Sequence, residues 1–169
     1  VTGGAAYGGV GGGVDIITGA SANRHSGDLS LATAGAGRSG VSGAISVSTG
    51  EATYGDAGNV FISSGSSADG RSGSVVVSAG RAQRAVGGDV LVSAGSSVDK
   101  SGGKLSFMSG HSEAASSGAV EIASAKAGSD GSSGSVAISS GSAESGLSGA
   151  VDIVTGASPY GSSGNVNIA

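Results

Sequence analysis

No cysteine occurs among the 169 residues, which excludes disulfide staples and thiolate metal sites together. Tryptophan is absent as well, and the aromatic residues are three Tyr and two Phe, too few to build a platform for stacked bases. Charge is scarce: 12% of residues carry one, the net charge is -4, and no basic stripe offers a footprint for nucleic acid. No apolar run approaches the roughly 20 residues of a membrane-spanning helix. Proline appears once, at position 159, which departs from the proline-rich profile of disordered chains. The chain opens at Val1 with neither Met nor a basic-then-apolar leader, which reads as a processed form or an excerpt and suggests an extracellular or cell-surface location.

Glycine and serine fill the space left by these absences. There are 36 of each, about 43% of the chain. Such a composition suits linkers, yet 37% of residues are apolar and the mean hydropathy is +0.19, which departs from the profile of disordered chains. The apolar residues are periodic. A motif of Gly, any residue, an aliphatic, any residue and a second apolar residue begins at Gly12, Gly27, Gly43, Gly58, Gly73, Gly88, Gly103, Gly118, Gly134, Gly149 and Gly164. Eight of the ten intervals are 15 residues; the two of 16 run from Gly27 to Gly43 and from Gly118 to Gly134.

Counting that glycine as position one, the apolar pair sits at positions three and five, as in Val14/Ile16, Val75/Val77 and Val120/Ile122. Spacing of two with β-branched side chains predicts a strand, and the flanking glycines oppose a helix. One short strand cannot bury its own face, so the expected fold is all-β: a single β-solenoid, or β-helix, of about ten to eleven stacked 15-residue coils, forming one domain over 1–169 with a Gly-rich N-terminal segment over 1–11. Small residues at positions seven and fifteen are expected to point inward or at corners, and glycines at positions one and eight to make the turns. Opposite charges share positions in successive repeats, namely Asp69, Arg84 and Asp99 at twelve, Asp56 and Arg71 at fourteen, and Asp89 and Lys104 at two. That alternation favours an in-register stack.

Chemistry is hard to place on this pattern. The twelve acids are dispersed rather than paired, so general acid-base catalysis is not expected, and the protein reads as a non-enzyme without cofactor. His25 and His111 lie several repeats apart and make no shared metal site. Asp positions drift between repeats, unlike calcium-binding β-rolls. The glycines from Gly8 to Gly13 lack the Lys-Ser/Thr of a phosphate loop. No Asn-x-Ser/Thr glycosylation site occurs, while the many serines leave O-glycosylation open.

If positions three and five face inward, positions four and six face out. Position six carries no charge in ten repeats, and the middle of position four is apolar. The outward columns supply a candidate face made of Ser46, Ser48, Ser63, Val76, Ser78, Leu91, Ser93, Ser106, Ala137 and Ser139. Phe61, Val76 and Leu91 occupy one column, an unusual run for solvated surface. A cysteine-free, Gly/Ser-rich chain with short repeats, Val-x-Ile pairs and an uncharged side resembles the β-solenoid ice-binding (antifreeze) proteins of grasses and cold-water microalgae. The resemblance implies adsorption to ice or ordered water through a regular face of hydroxyls and methyls, with no titrating group. An alternative face follows position seven: Thr18, Thr33, Thr49, Ser64, Ser109, Ser124, Ser140 and Thr155. The competing expectation is a structural repeat segment of an extracellular fibre, adhesin or cell-surface protein, self-associating end to end or laterally. The last repeat ends immediately after its apolar pair with no evident cap, which fits a piece of a longer array.

Overall fold

A computed structural model describes residues 1–168. It divides into two units, Val1–Arg81 and Ala82–Ala169. Among the described residues there is no helix and no strand. The expected all-β fold is therefore corrected: no sheet forms, and neither a β-solenoid nor a β-helix of stacked coils exists here. No described side chain is buried, and the accessible surface is 16838 Å². A folded chain of 15.4 kDa exposes about 7,200 Å² and an unfolded one about 22,000 Å², so the larger part of the unfolded surface stays wet.

The physical reason lies in the repeat itself. Each repeat brings one aliphatic pair, whose full burial is worth about 3 to 6 kcal/mol. Against it stands the conformational entropy lost in fixing the backbone of all fifteen residues. Glycine raises that cost further, because it has the most freedom to lose. The pair alone does not offset the ordering of its own repeat, so what persists is structure that closes locally.

That local structure keeps the period of the sequence. Bends fall at Tyr7–Gly9, Ala22–Arg24, Thr53–Gly55, Ala68–Gly70, Gln83–Ala85, Val98–Lys100, Glu113–Ala115 and Glu144–Gly146. In the two 16-residue repeats the bend is replaced by a turn, at Arg38–Ser39 and Ser129–Asp130, and a further turn covers Pro159–Tyr160. Each repeat is thus an apolar segment, at positions two to seven, followed by a loop whose tip lies at positions eleven to thirteen.

The loop is drawn together at a neck. The N–H of the next repeat's first glycine donates to the carbonyl at position eight: Gly12 to Gly4 at 2.8 Å, Gly27 to Gly19 at 3.0 Å, Gly73 to Gly65 at 3.2 Å, Gly103 to Gly95 at 2.8 Å and Gly118 to Gly110 at 3.0 Å. The Gly4 neck and the Tyr7–Gly9 bend place the same loop within 1–11, so the period reaches further toward Val1 than the Gly12 motif indicates. Position seven packs across the neck against that same glycine. A Cβ added at Gly73 would lie 3.0 Å from the Ser64 Cβ, and one at Gly58 3.4 Å from the Thr49 Cγ2. The approach is tight at Gly73 and looser at Gly149 and Gly164, where an added Cβ would stand 3.8 Å from its neighbour.

Glycines at positions one and eight do not supply the unusual backbone angles expected of them. Among the described residues, positive φ occurs at Gly55 (112°) and Gly146 (126°), both at position thirteen, where the tip closes. The charge ladders lose their stack as well, since no in-register sheet forms to hold them.

Candidate functional site

The surface that repeats is the apolar segment, and its exposure alternates. Position three is 47–60% exposed and position five 56–86%, whereas apolar residues at positions four and six (Val76, Phe61, Leu91, Ile17, Met108, Val154) reach 81–90%. One side of each segment is therefore partly shielded and the other open, although no strand forms.

The backbone of these segments is unpaired. Among the described residues, backbone hydrogen bonds occur at the five necks and across two tip turns, and none involves positions two to seven. With the six bonds that involve side chains, the described residues make 13, where a globular chain of this length carries about 170. The free N–H and C=O groups of the segments face water.

The expected site residues fall into two groups. Ser46, Ser48, Ser63, Val76, Ser78, Leu91, Ser93, Ser106, Ala137 and Ser139 are all exposed, but no sheet joins them into a flat face. Thr18, half-buried, and Thr33, Thr49, Ser64, Ser109, Ser124, Ser140 and Thr155, all exposed, stand instead at the necks. There the Ser64 hydroxyl donates to the Gly73 carbonyl at 2.8 Å, tightening one loop by its side chain as well as its backbone.

A column not anticipated from sequence lies at position ten, which is Ser or Ala in every repeat: Ala6, Ser21, Ala36, Ala52, Ser67, Ala82, Ser97, Ser112, Ala127, Ala143 and Ser158. Three of the four half-buried residues, Ala82, Ser112 and Ala127, belong to it; Thr18 is the other. In eight of the eleven repeats its identity goes with the way the tip turns, Ala6, Ala82 and Ser158 standing outside the pattern. Where it is Ser, the hydroxyl accepts the N–H three residues on: Ser21 from Arg24 at 3.0 Å, Ser67 from Gly70 at 2.9 Å, Ser97 from Lys100 at 3.0 Å and Ser112 from Ala115 at 3.0 Å. Where it is Ala52 or Ala143, the positive-φ glycines Gly55 and Gly146 turn the chain instead. Where it is Ala36 or Ala127, the repeat is one residue longer and a backbone turn forms, with Gly40 N–H donating to Gly37 at 3.3 Å and Gly131 to Gly128 at 3.4 Å. An unbroken run of one residue class at a fixed position was the available signal.

Charge collects on the loops. Fourteen of the twenty Asp, Glu, Lys and Arg residues occupy positions nine to fourteen, whereas positions three, five and six carry none. The repeats from Gly12 to Gly134 are thus amphipathic, each with a largely apolar segment and a charged loop, whereas the loop of the Gly149 repeat carries no charge. In the second unit, Phe107, Val120, Glu121 and Ile122 line a groove of about 350 Å³ between the apolar segments of two successive repeats. Among the described residues, no three His, Cys, Asp or Glu side chains gather as metal ligands, and no helix is long and apolar enough to cross a membrane. No family model, no curated protein and no solved structure matches this chain.

Proposed function

We propose that this chain is a structural repeat segment of an extracellular or cell-surface assembly, with no catalytic role. The observation that supports this reading is a regular repeat that keeps every apolar pair in water: the loops close locally, and the segments between them await a partner to cover them. An exposed periodic apolar surface is the mark of an assembly component rather than of a monomer finished by its own core. Concentrated protein, imaged by electron microscopy and examined by fibre diffraction, is expected to give regular filaments or sheets. A chain that stays monomeric and unordered at every concentration refutes the reading.

Adsorption to ice is the second reading, favoured by the uncharged position-six column, which is exposed in all ten repeats. Its mechanism requires hydroxyls and methyls at regular spacing once the segments are ordered. Thermal hysteresis with crystal shaping, abolished by Ser78→Tyr, would support it. Unshaped crystals at high protein concentration sink it and leave the structural reading.

A further inference from the structure

We infer that the occupant of the apolar segments is a second copy of this chain, docked segment against segment with the charged loops turned outward. The inference rests on the structural reading and names its partner.

Area makes association with a large surface available. The chain exposes about 9,600 Å² beyond what a folded chain of its mass does, whereas a standard protein interface buries about 1,600 Å² in total. Spacing selects the partner. The groove lined by Phe107, Val120 and Ile122 is bounded by apolar segments one repeat apart. An occupant that fills one such space and continues along the chain needs apolar side chains at that same interval, and a second copy has them at every repeat. Charge permits the approach, because positions three and five are apolar in all eleven repeats and fourteen of the twenty charges stand on the loops. Glu121 is the one charged side chain lining the groove, and it is exposed, so its carboxylate keeps its water. The backbone contributes as well: with no partner among the described residues, the N–H and C=O groups of positions two to seven are free to pair with an added segment, as in strand addition at an exposed edge.

The test is sedimentation velocity over a concentration series on the whole chain, combined with amide hydrogen exchange. Association is expected to slow exchange across Val120, Glu121 and Ile122 while the loop tips stay fast. Ile122→Asp and Phe107→Asp place a charge in the groove, and each is expected to raise the concentration needed for association by about tenfold or more. Glu113→Gln, on a loop tip, is expected to leave it unchanged. Neither groove side chain is in a core, so the substitutions remove no folded state of the monomer. Association that ignores both groove variants, or that leaves the segments unprotected, overturns the docking mode and spares the structural reading. A monomer at every concentration overturns both.

Discussion

Gly12→Ala isolates the neck, the backbone closure found in five of the loops. A Cβ at Gly12 would stand 2.8 Å from the backbone N of Gly4, closer than side-chain carbons approach backbone atoms, so the chain must shift by about half an ångström. The same two residues are held by the Gly12 to Gly4 hydrogen bond of 2.8 Å, which that displacement stretches beyond good geometry. Loss of one such bond costs about 0.5 to 1.5 kcal/mol, and 1.4 kcal/mol is a tenfold change in an equilibrium. Exchange of the residue-12 amide is therefore expected to accelerate by about two- to tenfold, read by NMR on the whole chain. Gly19→Ala is the control, because nothing lies within 4 Å of its added Cβ and its φ is unexceptional. It is expected to be neutral or slightly stabilising, since alanine lowers the entropy of the open chain by about 0.4 to 1 kcal/mol. Equal exchange in the two variants would refute the neck as the element that closes the loop.

The tips give two further contrasts. Ser67→Ala removes the acceptor of the Gly70 N–H and is expected to loosen that tip by about 0.5 to 1.5 kcal/mol, seen as faster Gly70 exchange, while Ser66→Ala next to it changes nothing there. Gly55→Ala forces a side chain into φ 112° and is expected to cost about 1 to 2 kcal/mol at the Thr53–Gly55 bend, whereas Gly50→Ala meets open space and is tolerated; nuclear Overhauser contacts across each bend report the difference.

The period was legible in the sequence, whereas the packing of a small residue at seven against the glycine at one was not: the columns at seven and fifteen were expected to point inward or at corners. Stacking was inferred from the Val-x-Ile pairs, and there the inference failed. Alternation specifies which side a segment presents, as the lower exposure at Val14 or Val151 than at Val76 or Leu91 reflects, but it does not supply the hydrogen-bonding neighbour that makes a segment a strand. The candidate face at Ser46 to Ser139 presupposed that neighbour. Position ten escaped notice for a different reason. In a chain that is over two-fifths Gly and Ser, another small residue carries little contrast, and its role at Ser21 or Ser97 depends on a hydroxyl reaching a backbone N–H three residues away.

The two longer repeats locate where this chain tolerates change. The additional residue is taken up ahead of the turn, between Thr33 and Gly37 and between Ser124 and Gly128, while the approach across the neck survives: a Cβ at Gly43 would stand 3.4 Å from the Thr33 Cγ2, and one at Gly134 3.7 Å from the Ser124 Cβ. Length varies in the loop between position seven and the tip, and the phase of the apolar pairs is preserved. Insertions there, whether arising by drift or placed by an engineer to display a peptide, leave the spacing that any matching surface would read, whereas one residue added between positions one and seven reverses the side on which every later side chain of that segment lies.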